Sequence, residues 1–469
     1  MTLVLAGAML RVLASEAAWP SLPVLGDSWP YSYYAEYDVL GNPQHPPGYS
    51  MFLASIGFVT RSVGAFVVLQ HLMGIASALI LFAAVRRLCG SPWPGVVAAA
   101  VILLGADQLY LEGLIMSETL FTLLLAGLLY ATARALEEPQ RWWPWPVIAG
   151  VLIALVGIAR TAGLFLIPVL LLALLLARPR PWLPRWRPLV AFLGVACVLL
   201  LGYGAANAID GHRFGITPSP GWHLYARVAP FADCTQFTPP PGTRRLCETS
   251  AAEDRFGPDW YLYDPGSPAL RKIGFFGTDD DKLNAFGWQA VLHQPRAYIE
   301  SVWPDIRAYF FPGSYGAWRS GRGTDIDGQL SWALAGTTPD KTQADTQKGM
   351  ETFFSPFSVH RRYRVLNFFY DYQRIVRFGG TLLTIATLLI LIGLFVGPRR
   401  SRIAVLVLGI GGLAIIVLPP FSANYIGRYM VPPAGPLAAA AVISAMSIAL
   451  WLRNKAGGSR VAPIGDASA

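Results

Sequence analysis

The stretch "VIAGVLIALVGIARTAGLFLIPVLLLALLLA" (147–177) is apolar throughout except where Arg160 interrupts it. One long helix and two spans meeting at a reversal both fit the stretch itself. Charge in the flanking segments decides between them, because short cytoplasmic loops carry an excess of Lys and Arg. With two spans and the N-terminus inside, every short basic segment falls on the cytoplasmic side. These are Arg86-Arg87, Arg141, "RPRPWLPRWR" (178–187), "PRRSR" (398–402) and Arg453 with Lys455. With one span, the parity flips after Arg160 and either the early or the later basic segments fall outside. Two spans are therefore expected, with Arg160 at the outer surface.

The composition agrees with a membrane chain. Of 469 residues, 54% are hydrophobic and only 14% charged, against about 25% charged in soluble domains. Apolar runs such as Pro188–Gly202 and Thr381–Gly397 approach the roughly 20 residues that a helix needs to cross a bilayer. The expected fold class is an all-α polytopic membrane protein with about ten transmembrane helices, near 1–15, 64–85, 95–110, 115–134, 145–159, 162–177, 189–208, 379–396, 403–420 and 430–452. The net charge of +9 sits largely at helix ends, which argues against a nucleic-acid partner. The first apolar run, Thr2–Ala14, lacks the preceding basic residue and small-residue cleavage pattern of a signal peptide. It is short for a span, so either the helix extends through Trp19 or the native start lies upstream. High Ala, Gly, Pro and Arg with few Lys matches a GC-rich bacterial coding sequence.

The same parity places three segments outside. They are the first loop (16–63), the turn near Leu111–Met116, and a hydrophilic segment, 209–378, expected to form a mixed extracytoplasmic loop domain. The chain then divides into an N-terminal transmembrane catalytic module (1–208), that loop domain (209–378), C-terminal transmembrane helices (379–452) and a cytoplasmic tail (453–469). In the first loop, "SYYAEYDVLG" carries Tyr33, Tyr34 and Tyr37 and suits an interfacial helix. A second helix starts at Pro46-Pro47, where a missing N–H costs nothing. Residues 281–313 read as short surface helices broken at Pro295 and Pro304. Cys234 and Cys247, in "DCTQFTPPPGTRRLCE", form the natural disulfide pair in an oxidising exterior; two free thiols are the alternative.

The outer face collects Asp27, Asp38, His45, Asp107, Glu118, Arg160 and Arg428. Ionisable groups near membrane depth are costly, so such a gathering is a candidate site. Carboxylates can act as general bases, and cations can neutralise a phosphate leaving group.

The order "GDSWPYSYYAEYDVLG" (26–41), "HPPGYSMFLA" (45–54), "MSETLF" (116–121), "GIARTAGLFLIP" (157–168) and "ANYIGRYMVPPAGP" (423–436) resembles the polyprenyl-phosphate-dependent glycosyltransferases of the GT-C superfamily, particularly protein O-mannosyltransferases and lipid A aminoarabinose transferases. The resemblance covers 1–205 and 379–452 and lies in the order and common side of the motifs. It implies a GT-C-like fold and a sugar donor on a polyprenyl phosphate in the membrane lipid. Transfer is then with inversion, to an extracytoplasmic acceptor that is a glycan, glycolipid or protein, in a bacterial plasma membrane. By position Asp27 matches the catalytic base, Glu118 the acid of the Ser-Glu motif, and Arg428 with Tyr429 the pair near the lipid phosphate. His45, Arg160 and Asp38 join these as candidate substrate-binding residues, and Asp38 is the second candidate base.

Each residue also has a plainer reading. Asp27 before Ser-Trp-Pro suits a helix N-cap, Glu118 complements a helix dipole, and either arginine could snorkel to headgroups. His45 could be an interfacial aromatic, and Asp38 a solvated side chain. Relatives often place a second acid beside the first; here that position is Ser28, so metal use is open and no cofactor is fixed. "TDDD" (278–281) lacks the glycine and distant glutamate of a calcium loop and reads as a solvated turn. Neither a P-loop nor a dinucleotide fingerprint occurs. A transporter or flippase would bury charges mid-span or break helices in matching halves, and a wall-polymer ligase would favour arginines over acids.

Overall fold

The computed structural model describes residues 1–22, 26–137, 143–176, 186–311, 332, 341–422 and 426–456. Arg141, most of the basic stretch 178–187, residues 423–425 and the end of the tail lie outside the described residues.

Helices lie at the expected span positions, though among the described residues those long and apolar enough to count as spans number fewer than ten. In the N-terminal part they are α1 (Thr2–Ala17), α4 (Val63–Cys89), α5 (Pro92–Leu104) with α6 (Ala106–Glu112), α7 (Glu118–Glu137), α8 (Pro144–Ala159), α9 (Leu166–Leu175) and α10 (Trp186–Ile209). The first loop between α1 and α4 folds into α2 (Ser28–Tyr37) and α3 (Gly48–Gly57), with Pro47 at the N-cap of α3. Among the described residues, five helices are long and apolar enough to cross a membrane, or six if α5 and α6 make one bent span; three more apolar helices are shorter.

The break near Arg160 is real. The residue is extended (φ −156°, ψ 123°) between α8 and a 3-10 turn, Thr161–Phe165, that leads into α9. A second break was not expected. The span near 95–110 bends by 53° at Gly105, between α5 and α6. A broken helix frees backbone groups that lipid cannot satisfy, and protein groups take them here. Ala106 N–H donates to the Val376 carbonyl at 3.2 Å. Tyr372 donates to Leu104 O at 2.7 Å, Trp332 to Ala106 O at 3.2 Å, and Arg11 to Leu103 O at 3.0 Å.

Arg11 is thus a buried cation inside α1. It pairs with Glu112 at 2.7 Å, and His71 Nδ1 lies 2.9 Å from the other carboxylate oxygen. Gln108 adds a bond at 3.0 Å. These contacts fix α1, α4 and α6 to one another, in a place where an unpaired charge would be prohibitive.

The hydrophilic segment contributes to two cores. The first is built from α11 (Pro220–Val228), α12 (Pro258–Tyr263), α13 (Pro268–Lys272) and α14 (Asp280–His293), around Trp222, Tyr225, Tyr261 and Phe286. Cys234 and Cys247 are bonded there, with Cα atoms 5.9 Å apart. Next, α15 (Pro295–Phe310) starts at Pro295 and continues past Pro304. An internal proline removes one hydrogen bond and crowds the preceding carbonyl, but Arg227 holds the helix on both sides of it, donating to Ser301 O at 2.9 Å and pairing with Asp305, so the expected break there does not occur. "TDDD" is a turn leading into α14 in which Thr278, Asp279 and Asp281 are exposed, as expected; Asp280 alone departs from that reading, being buried, accepting the Trp222 N–H at 3.0 Å and lying 3.2 Å from Arg213. Farther on, α16 (Lys341–Met350) packs on α2, and α17 (Tyr363–Ile375) packs on α1 and α6. Together they share a core with the first loop, through Tyr31, Leu53, Phe353 and Phe369. A short antiparallel pairing of Ala18–Trp19 with His360–Arg361 closes that edge.

The remaining helices are α18 (Thr381–Gly393), α19 (Arg399–Val405), α20 (Gly411–Val417) after a π turn, and α21 (Val431–Ala456). Two charge clusters mark the ends of the bundle. Glu137, ending α7, lies 3.1 Å from Arg87 at the end of α4 and 2.7 Å from Arg400 at the start of α19. Glu118, at the other end of the 20-residue α7, lies against Arg160 and Arg428. At 1.5 Å per residue that separation is about 30 Å, matching the hydrocarbon thickness of a bilayer.

Gly74 on α4 faces the buried ion pair. A Cβ there would stand 1.8 Å from Glu112 Oε1 and 2.8 Å from Arg11 Nη2. Replacing a helical Gly by Ala ordinarily stabilises by about 1 kcal/mol; here Gly74→Ala is expected to lower the melting temperature in detergent. Glu112→Ala should cost more, about 3–5 kcal/mol, by stranding Arg11. A Gly74→Ala protein that melts higher than wild type would contradict the packing described.

Candidate active site

Asp27 occupies the N-cap position of α2, yet its side chain makes no capping hydrogen bond. The carboxylate turns instead to two other groups. One oxygen pairs with the Arg428 guanidinium, and the other lies 3.5 Å from His45 Nε2. Burial alone would raise the Asp27 pKa; Arg428 and His45 outweigh it and hold the carboxyl well below the usual carboxylate range.

His45 is presented by its loop. Asn42 accepts the backbone N–H groups of Gln44 and His45 at 2.9 and 3.1 Å, and Pro46-Pro47 lead directly into α3. The imidazole stacks on Tyr31, with ring centroids 4.6 Å apart. Tyr31 donates to Ser117 Oγ at 3.1 Å, and Arg160 donates to the same oxygen at 3.1 Å. Behind them Glu118, the first residue of α7, pairs with Arg160 and stands 3.0 Å from Arg428 Nε. Arg160 also lies over the Tyr429 ring, 4.3 Å from its centroid.

The result is a chain of alternating charge: Asp27, Arg428, Glu118, Arg160. Side-chain exposure falls from 23% at Asp27 through 12% at both arginines to 1% at Glu118. Asp27 and His45 therefore form the rim and Glu118 the floor. Three polar atoms in it lack a well-directed partner: His45 Nε2, Arg428 Nε and Glu118 Oε2. Buried atoms of this kind are rare in folded proteins, and they give the site unused capacity to bind polar groups.

The structure thus brings together Asp27, His45, Glu118, Arg160, Arg428 and Tyr429. Asp38 is engaged elsewhere. It accepts the Gly41 N–H at 3.0 Å, and its other oxygen lies 3.3 Å from His212, which is 3.5 Å from Asp210. Asp107 accepts from Gln373 at 2.6 Å and Arg377 at 3.0 Å, clamping α17 onto the bent span. Tyr31 and Ser117 were not singled out from the sequence. The signal for Tyr31 was present: it sits one helical turn after Asp27, on the same face of α2.

Metal use can be tested on these groups. Among the described residues at Asp27, only His45 is a second ligand-type side chain free of a salt bridge to arginine, Ser28 is turned towards Met116 at 3.8 Å, and the Arg428 guanidinium already occupies one carboxylate oxygen. That donor set does not fit a divalent cation. Among the described residues, Asp38, Asp210 and His212 do bring ligand-type atoms within 4.8 Å of one another, on a partly exposed surface.

Fold and site define a multi-pass helical membrane protein with a charged site at one end of its bundle. Residues 44–203, 160 of the 469, match the family described as dolichyl-phosphate-mannose-protein mannosyltransferase. No curated protein matches the chain. Among solved structures, it is similar to the Archaeoglobus fulgidus oligosaccharyltransferase in the apo form, with 15% identity over 98% of this chain and 52% of that one, and a TM-score of 0.40. The archaeal oligosaccharyltransferase AglB from Archaeoglobus fulgidus, in complex with an inhibitory peptide and a dolichol-phosphate, matches with 14% identity over 98% of this chain and 52% of that one, TM-score 0.39. The chain spans about half the length of these solved structures.

The Asp27–Arg428 pair has a measurable consequence. An anion that binds Arg428 must compete with the carboxylate, so Asp27→Asn is expected to tighten binding of sugar-free polyprenyl phosphate. The gain should be about tenfold, the worth of roughly 1.4 kcal/mol, within the range of a hydrogen bond to a charged group. Unchanged affinity in a titration of protein in nanodiscs would show that the anion does not use Arg428.

Proposed function

We propose that the chain is an integral membrane glycosyltransferase that moves a sugar from a polyprenyl-phosphate carrier to an extracytoplasmic acceptor hydroxyl, with inversion. The observation that carries this reading is the alternating charge chain at the rim of the bundle, which pairs a carboxylate with a guanidinium suited to phosphate. The match of residues 44–203 to a mannosyltransferase family supports it. The clustering of Arg87, Arg400 and Glu137 at the far end of α7 supports a cytoplasmic side opposite the site, and the site then faces outward from a bacterial plasma membrane. The helix break at Gly105 does not revive a transporter, because its backbone groups are taken up by fixed protein partners.

The chemistry follows from the charges. A lipid phosphodiester enters with one negative charge and leaves as a monoester with close to two. Arg428 and Arg160 are positioned to neutralise that increase, and a bidentate guanidinium matches phosphate geometry. When phosphate takes Arg428, the carboxylate of Asp27 loses the interaction that keeps it a weak base. The acceptor hydroxyl then attacks the anomeric carbon on the face opposite the phosphate, and its proton passes to Asp27. As the new C–O bond forms, the bond from the anomeric carbon to the phosphate oxygen breaks, and its electron pair leaves on that oxygen. Glu118 holds both arginines in place before and after, and acts as a positioning residue. Because the donor set at Asp27 does not fit a divalent cation, no step uses one.

Purified wild type, given polyprenyl-phosphate sugars and acceptor, should release polyprenyl phosphate, and Asp27→Asn should lose at least 1000-fold, in line with loss of general-base catalysis of about 10²–10⁴. Retained turnover in Asp27→Asn would remove Asp27 from the mechanism. The pH profile separates the two states of the base. In the free enzyme Asp27 is depressed, so it stays ionised as pH falls and kcat/KM should show no acid limb above about pH 4. In the donor complex, with Arg428 drawn away, its pKa rises, and kcat should show an acid limb at higher pH. Coincident limbs would contradict the exchange of Arg428 between carboxylate and phosphate.

A further inference from the structure

One loop of the hydrophilic segment lies against the loop that carries His45. Gly274, Gly277 and Asp279 all have positive φ, at 142°, 94° and 51°, a concentration that only a specific backbone path requires. That path lays Gly277 on the first loop: a Cβ there would come within 3.0 Å of Pro43 Cβ, two residues before His45. Between the two glycines the loop carries Phe276. Its ring lies 5.2 Å from Trp222 and 6.2 Å from Tyr263, the latter with planes only 7° apart, and His223 meets its edge at 5.7 Å. Trp222 is fully buried and donates its indole N–H to Thr278 O at 2.9 Å, so the wall stands on a fixed base.

The contact of Gly277 with Pro43 brings this wall beside the loop that carries His45, within electrostatic range of the charge chain. The His223 imidazole interacts electrostatically with His45, and the Tyr263 hydroxyl with Asp27, Asp259, Tyr429 and Arg428. Two buried nitrogens lack a hydrogen-bond partner, His223 Nδ1 from the wall and His45 Nε2 from the rim. Burial, and beyond it His45, lower the His223 pKa to about 4, so its ring is neutral at pH 7, with one nitrogen donating and one accepting. The wall therefore offers an aromatic face and neutral nitrogens, next to guanidinium groups already suited to phosphate. A bare anion would leave the aromatic face unused, and a lipid tail would leave the nitrogens unpaired. A sugar ring fits both, through its C–H face and its hydroxyl groups.

We propose that Tyr263, Phe276 and His223 form the sugar subsite of the donor, with His223 Nδ1 and His45 Nε2 each hydrogen-bonded to a hydroxyl of the sugar carried on the lipid phosphate. The inference rests on the reading of the charge chain as a lipid-phosphate site. Its consequence is that specificity for the transferred sugar is set by the segment outside the apolar helices, while the helices bind the phosphate.

The test uses the full chain in nanodiscs and reads binding rather than turnover. Affinity is measured for sugar-free polyprenyl phosphate and for the same lipid phosphate carrying each of a panel of hexoses and pentoses. Wild type should bind at least one sugar-bearing lipid about tenfold more tightly than the bare lipid, the effect of one or two net hydrogen bonds. His223→Ala and Tyr263→Ala should erase that preference while leaving bare-lipid affinity unchanged, and His223→Asn should restore part of it. No sugar preference in wild type, or a preference that survives in His223→Ala, would overturn the proposal. So would an equal loss of bare-lipid binding in both variants, which would mark a structural role. Sugar preference without any transfer would instead count against the transferase reading and leave the subsite standing.

Discussion

Four charges of alternating sign share one largely dehydrated space, and the rest of the structure is arranged around keeping them paired. Asp27 comes from the first loop, Arg428 from the turn before α21, Glu118 from the start of α7 and Arg160 from the break after α8. Attraction between such groups is strong where water is scarce, and an unmatched member is costly for the same reason. The chain therefore ties together four segments that are distant in sequence. It also sets where α7 begins, and the length of that helix sets where the opposite cluster around Glu137 falls. A second buried pair, Arg11 with Glu112, does the same work at the bent span.

Under the proposed mechanism this linear chain of pairs has a functional consequence. Asp27 at rest is satisfied and would be a poor base, which would limit wasteful reaction with water before a donor arrives. A phosphate adds negative charge to a site that already balances, and Arg428 is the member that can change partners with least disturbance, because its other neighbour, Glu118, stays in place. Binding of the leaving group and activation of the base are then one event. The same logic fits Glu118 being the most deeply buried member: it is the fixed partner that holds both arginines while Arg428 exchanges Asp27 for phosphate.

Much of this was legible in the sequence, for particular physical reasons. Hydropathy located the apolar helices, and the distribution of Arg and Lys placed Arg160 at a break, where it is found. Asp27, His45, Glu118, Arg160, Arg428 and Tyr429 were singled out by type, order and common side, and all six gather in one site. What stayed hidden depends on contacts between distant residues. The bend at Gly105 is sustained by Arg11, Tyr372 and Trp332, none of which is near it in sequence. Asp38 was drawn away by His212, beyond α10. Asp280 is buried because Arg213 and the Trp222 N–H lie across from it. Local pattern alone carries no record of such partners. Arg11 is a different case: a lone cation in an apolar run was a visible signal for a buried partner.

The most direct test of the central claim is a structure of the full chain with sugar-free polyprenyl phosphate bound, determined in nanodiscs by cryo-electron microscopy. The account predicts the phosphate on Arg428 and Arg160, Glu118 unmoved, and the Asp27 carboxylate separated from Arg428 and open to the outer side. A phosphate bound elsewhere with the Asp27–Arg428 pair intact would contradict it.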